Sequence, residues 1–182
     1  MKRAFLIHGS RGSPEGHWFP WLKNQLKEFE VFAPQFPIGP DDQFLENWFN
    51  VLQPKAEHLS GSVIVGHSLG VPFILNVLND WDVHFKLVIL VAGFYGPFEA
   101  DGEPNIIDFA DKKFDWEQMK KKAEKFIVVY SDNDPYIPED IQVSLAAELD
   151  AELVMIEGAR HFTTNSGYKE FPKLMEMIKK NS

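Results

Sequence analysis

Three side chains of this sequence have the types and the chain order that acyl-transfer chemistry requires: Ser68, Asp134 and His161. A serine hydroxyl is a poor nucleophile at neutral pH unless a base removes its proton as it attacks. An imidazole, with an ordinary pKa near 6.5, is suited to accept that proton and return it. A carboxylate behind the imidazole would fix its tautomer and stabilise the imidazolium. Asp132 is an alternative for this last role. The developing oxyanion would need backbone N–H donors. Those expected are Leu69, directly after the serine, and Ser10 in an earlier glycine-containing loop.

Ser68 lies in Gly66-His67-Ser68-Leu69-Gly70, a G-x-S-x-G pattern between the apolar run Ser62 to Val65 and the helix-like stretch Val71 to Leu78. The three fixed positions alone recur by chance in roughly one chain in twenty of this length. Their place between a strand and a helix is what makes them a nucleophile elbow: glycines remove the Cβ atoms that would clash where the two elements close on each other. The order serine, acid, histidine matches α/β-hydrolases and differs from the chymotrypsin and subtilisin orders.

These residues need a scaffold, and the chain supplies one as alternating apolar runs and amphipathic stretches. Strands are expected at Ala4 to Ile7, Val31 to Ala33, Ser62 to Val65, Lys86 to Val91, Phe126 to Tyr130 and Leu153 to Ile156. Helical spacing links Trp18, Trp21, Leu22, Leu26 and Phe29, then Phe44, Leu45, Trp48, Phe49 and Leu52, and further helices are expected over 71–78, 115–125, around Ile141 to Leu149, and over 171–180. Gly93 to Phe114 reads as an irregular stretch, too short for a separate lid domain. The implied fold class is α/β: a three-layer α/β/α sandwich, a compact α/β-hydrolase fold with about six mainly parallel strands and no cap, in one domain over residues 1–182. Ser68, Asp134 and His161 each follow a strand, where reactive groups gather in open α/β sheets.

Other residues fall around this constellation. His8 ends the first strand and is expected to shape the oxyanion loop; Trp18, His67, Phe94 and Tyr95 join it as candidate pocket walls. His17, His58, His67 and His84 otherwise read as structural or exposed positions. The loop Gly9 to Ser13 lacks the lysine ending of a P-loop and the G-x-G-x-x-G spacing, which argues against nucleotide binding. Asp132 and Asp134 have no clustered carboxylate partners and no H-E-x-x-H accompanies them, so no metal and no cofactor are expected.

The composition agrees. With 182 residues, 45% hydrophobic and 25% charged, the chain can bury a core without staples. A net charge of −9 disfavours nucleic acid and anionic membrane surfaces as partners. Lys120-Lys121-Lys122, set among acids, reads as a solvated face. With no cysteine, Cys nucleophiles, zinc–thiolate sites and disulfides are excluded. No leader peptide and no membrane span are expected, and a cytoplasmic location fits.

The sequence resembles the small capless α/β-hydrolases that include retinoblastoma-binding protein nine and its bacterial relatives. The likeness rests on the His8-Gly9 loop, the segment His17 to Trp21, Val65 to Gly70, the Asp134 to Pro138 turn and Gly158 to Phe162. It implies Ser68, Asp134 and His161 as the triad of a serine hydrolase. A pocket-protein contact through Leu-x-Cys-x-Glu does not carry over, because there is no cysteine. The function expected is a carboxylesterase acting on small acyl esters through an acyl-enzyme. A thioesterase, amidase or peracid chemistry on the same triad, or a non-catalytic interaction module on the same fold, are the alternatives.

Overall fold

In the computed structural model, which describes residues 1–97 and 105–182, six strands form one parallel sheet in the order β2-β1-β3-β4-β5-β6. The strands are β1 (Lys2–Ile7), β2 (Phe29–Phe32), β3 (Val63–His67), β4 (Leu87–Val91), β5 (Phe126–Tyr130) and β6 (Glu152–Met155). Seven α-helices accompany them among the described residues: α1 (Phe19–Gln25), α2 (Leu45–Leu52), α3 (Gly70–Asp80), α4 (Ile106–Ala110), α5 (Trp116–Met119), α6 (Glu139–Glu148) and α7 (Pro172–Asn181).

Strand alternation divides the core in two. Phe5, Ile7, Ile64, Val88, Leu90 and Val128 point to one face and pack with α2, α3, α4, α5 and α6. Leu6, Val63, Val65, Leu87, Ile89 and Ile127 point to the other and pack with α1 and α7. The central strands β3, β4 and β5 are buried along their whole length, as parallel strands covered on both faces must be. This is the α/β-hydrolase architecture, with three layers.

The strand order creates the crevice that the chemistry needs. From β1 the chain moves outward to β2 through α1 on one face, and from β3 it moves outward the other way to β4 through α3 on the opposite face. The loops leaving β1 and β3 therefore diverge, although the strands pair directly, with Ile7 opposite Gly66.

Several boundaries differ from the periodicity. Phe29 belongs to β2 and not to the first helix: α1 stops at Gln25, the Phe29 N–H closes a turn on the Leu26 carbonyl, and Phe29 pairs with Lys2. The helix expected over 115–125 is only α5, capped by the Asp115 carboxylate on the Gln118 N–H, followed by a 3-10 turn over Lys120–Lys122. It ends there because Ala123 is drawn into a parallel bridge with Phe85. Within the stretch read as irregular, Ile106 to Ala110 form α4, with Ile106 and Phe109 in the core. Residues 98–104 of that stretch lie outside the described residues. β6 runs one residue earlier than expected, starting at Glu152. No helix among the described residues is long and apolar enough to cross a membrane.

Candidate active site

Ser68 stands at the sharp turn from β3 into α3, with a left-handed backbone (φ 54°) that side chains rarely adopt. The turn is pinned on both sides. The Ser68 N–H donates to the Val91 carbonyl at 3.0 Å, and the Ser68 carbonyl accepts from the Val71 N–H at 2.9 Å. Gly70 is obligatory for lack of room, since a Cβ there would lie 2.5 Å from the Ile7 carbonyl oxygen and 2.8 Å from that of His8. Gly9, on the neighbouring loop, lies so close that its Cβ would stand 2.8 Å from Cβ of Ser68. The Leu69 N–H has no acceptor among the described residues and opens the first turn of α3, where negative charge is favoured.

Asp134 follows β5, and its carboxylate is fixed before it meets any histidine. Oδ1 accepts from the N–H groups of Tyr136 at 2.9 Å and Ile137 at 3.2 Å. Oδ2 then accepts from His161 Nδ1 at 2.8 Å, with the Asp134 side chain 1% exposed and that of His161 10% exposed. A ring that donates from Nδ1 keeps Nε2 as a lone-pair acceptor. Asp132 does a different job: its Oδ1 accepts from the Gly158 N–H at 2.7 Å, while Asn133 Oδ1 accepts from the Arg160 N–H at 2.7 Å. These two bonds stitch the loop after β5 to the loop that carries His161. It is Asp134, and not Asp132, that touches the ring.

Ser68, Leu69, Ser10 and His161 line one cavity of about 560 Å³ at the carboxyl edge of the sheet, within the range of small-molecule sites. No hydrogen bond joins Ser68 Oγ to His161, a contact that is commonly long before substrate binds. Ser10 Oγ donates to Gln43 Oε1 at 3.0 Å, which anchors the loop after β1. Among the described residues, no group of three His, Cys, Asp or Glu side chains gathers into a metal site.

The candidate wall residues divide. His8, His67 and Phe94 line the cavity. His8 is held by both nitrogens, Nδ1 donating to the Gly9 carbonyl at 2.8 Å and Nε2 accepting from the Phe36 N–H at 2.9 Å. Burial lowers its pKa, against the bond to Gly9, so the ring is neutral. His67 Nε2 donates to the His161 carbonyl at 2.9 Å, and burial, reinforced by the adjacent His161, holds its pKa well below the usual value. Trp18 and Tyr95 do not line the cavity. Trp18 is fully buried, stacked on Phe19 at 4.2 Å and edge-on to Phe171, because its ring fills the core beneath α1. Tyr95 turns outward to Trp116 and to Ser144 of α6, with 2.7 Å between the hydroxyl oxygens.

Sequence reasoning missed His17, Ile106, Tyr136, Ile137 and Thr163, all in the cavity wall. Three of these flank Asp134 or His161 along the chain, so adjacency could have found them. Tyr136, 64% exposed, sets its ring edge-to-face with His161 at 5.0 Å. His17 and Ile106 carried no comparable signal.

A family model described as serine hydrolase matches residues 4–180. YdeN of Bacillus subtilis is 30% identical, the alignment covering 97% of this chain and 94% of YdeN. The crystal structure of the ydeN gene product superposes with a TM-score of 0.90 at 27% identity, covering 100% of this chain and 98% of that one. Serine hydrolase RBBP9 of Rattus norvegicus is 21% identical over 97% of this chain and 94% of its own length. Likeness of fold alone extends to the meta-cleavage product hydrolase CumD of Pseudomonas fluorescens, with a TM-score of 0.76 at 14% identity over 100% of this chain and 92% of that one.

Proposed function

Because the chain belongs to the serine hydrolase family, we propose that it hydrolyses small, uncharged carboxylic esters through an acyl-enzyme on Ser68. His161 Nε2 takes the Ser68 proton as Oγ attacks the ester carbonyl, and Asp134 holds the ring and offsets the charge of the imidazolium. The backbone N–H groups of Leu69 and Ser10 receive the oxyanion. Collapse of the tetrahedral intermediate expels the alcohol, which takes its proton from Nε2. Water, deprotonated by the same nitrogen, then attacks the acyl-serine and releases the acid.

The observation that carries this reading is the 2.8 Å contact between Asp134 and His161 at a cavity that also holds Ser68. Its preference for uncharged substrates follows from the wall, where no Lys, Arg, Asp or Glu is found among the described residues. The cavity volume favours short acyl chains over lipid-length ones.

A fluorophosphonate probe tests it. The wild-type protein should gain one probe mass at Ser68, lose labelling on Ser68→Ala, and turn over acetate and butyrate aryl esters faster than the decanoate. Labelling accompanied by turnover of thioesters or amides but not of esters would move the chemistry to those bonds. Absence of labelling would remove the catalytic reading altogether.

A further inference from the structure

One ring at the cavity has no part in the reaction just described. His17, on the loop after β1, lines the cavity, and its backbone is left-handed (φ 52°). Its Nδ1 accepts from the Thr164 N–H at 3.0 Å and lies 3.2 Å from Thr164 Oγ1. An N–H pointed at Nδ1 excludes a proton there, so the ring is the tautomer that carries its hydrogen on Nε2. Burial, and next the neighbouring His161, lower its pKa, which keeps it neutral. Among the described residues that Nε2–H has no partner, and it is not sealed from solvent. An uncharged donor thus stands unused on a ring that lines the cavity.

Its side of the cavity is defined by the two halves of the core. Leu69, Phe94, Ile106 and Ile137 belong to the core half beneath α3, α4 and α6 and form an apolar wall. His17 precedes Trp18 and Phe19 of the other half, and Ala159 and Phe162 of that half flank His161. His17 and His161 both pack against the His67 ring, with centroids 5.7 and 5.0 Å away, so the base and His17 are neighbours, whereas the apolar wall comes from the other half of the core. A leaving group departs toward the acid that protonates it. The acyl chain then belongs against the apolar wall and the alcohol beside His17.

Resting on the esterase reading, we infer that His17 is a specificity-determining residue: its Nε2–H donates a hydrogen bond to an acceptor oxygen in the alcohol portion of the ester. The substrate class is an ester of an ether- or hydroxyl-bearing alcohol with a short apolar acyl group. Once a bound ester excludes water from this donor, it selects for a substrate that satisfies it over an isostere that cannot.

The test is a pair of isosteric esters, 2-methoxyethyl acetate and butyl acetate, which differ by one oxygen in place of a methylene. Proton release gives kcat/KM for each, divided by its rate of alkaline hydrolysis to remove intrinsic reactivity. Wild type should favour the methoxyethyl ester by about five- to tenfold, the worth of one hydrogen bond. His17→Asn keeps an acceptor for Thr164 and loses the Nε2–H, so the ratio should fall to about one, and His17→Gln, whose amide reaches the Nε2 position, should restore part of it. Equal rates on the two esters in wild type overturn the inference. So does a His17→Asn variant in which both rates drop by one common factor, the behaviour of a residue that only ties two loops together. If Ser68 is labelled but neither these nor the aryl esters are hydrolysed, the esterase reading fails and takes this inference with it; turnover of aryl esters alone overturns this inference and leaves that reading standing.

Discussion

The two ends of the sheet are built to opposite rules. At the carboxyl ends of the strands, non-glycine residues take the left-handed backbone at Arg11, His17, Ser68, Ala92, Arg160 and Phe162, and His8, His67 and His161 are buried. At the amino ends the left-handed residues among those described are Asp150 and a glycine, Gly61, which takes that conformation without strain. There, exposed ion pairs join neighbouring strands: Arg3 to Glu30, Lys86 to Glu124 and Lys125 to Glu152. Each left-handed residue other than glycine costs of order 1 kcal/mol and persists only where its surroundings over-determine it. Strain and buried polarity are therefore concentrated at one edge, and the continuous apolar strands between the two edges hold it in place.

If that edge is where the chemistry sits, its two aspartates should separate. Asp134→Asn leaves the backbone N–H bonds from Tyr136 and Ile137 an acceptor but favours the wrong His161 tautomer, and kcat should fall about 10⁴-fold. Asp132→Asn still offers an oxygen to the Gly158 N–H and should cost less than about tenfold, the effect of a slightly loosened loop. Steady-state kinetics on one aryl ester decides it. Equal losses in the two variants would mean that the loop after β5 works as a single unit and that the contact to the ring is not what matters.

How much of this was legible beforehand follows from the range of each interaction. The strands were legible because their burial shows as local apolar runs, and the three candidate residues because each lies on a loop that follows a strand. The elbow glycines were legible because a close approach of backbones leaves no alternative residue type. α4 was not, since five residues make little more than one turn and give no period. Trp18 and Tyr95 were misplaced because an aromatic next to a reactive loop can turn to the cavity or away from it, and distant partners, Phe171 and Ser144, settle the choice. His17 was hidden for the same reason: the residue that fixes its tautomer, Thr164, is 147 positions away.

The ends should also differ in their response to mild acid. His67 has its pKa lowered in the folded protein, by burial first and then by His161, and His17 and His8 also weigh against its charge. In the unfolded chain it titrates near 6.5. Between those two values the unfolded state binds a proton that the folded state refuses, so stability is fully present above about pH 6.5 and is lost as the pH falls through the window. A single such group gives a slope of up to about 1.4 kcal/mol per pH unit. Urea midpoints should therefore drop between pH 7.5 and 5.5, and His67→Gln, which keeps a donor for the His161 carbonyl, should flatten the drop. The same slope in that variant would show that the acid sensitivity originates elsewhere.

The amino end should contribute least, and Glu152 tests it directly. It begins the edge strand β6, where a charge discourages pairing with another chain. Its pKa is lowered, chiefly by the hydrogen bond from Lys125, with an N–O distance of 2.6 Å. A depressed carboxylate stabilises the fold above its unfolded value and loses that contribution as the pH falls through the folded one, here below about pH 4.5. Glu152 has its side chain 48% exposed, so solvent screens the pair, and Glu152→Gln should cost about 0.5 kcal/mol or less at pH 7. That small loss should vanish in 1 M salt, where the screening length shrinks to about 3 Å. Ester hydrolysis should be unaffected, because the residue lies at the far end of the strands from Ser68. A loss of 2 kcal/mol or a tenfold fall in kcat from this one exposed substitution would mean that the two edges are coupled through the sheet, and the strain at the carboxyl edge would then have to be explained with the charges at the amino edge included.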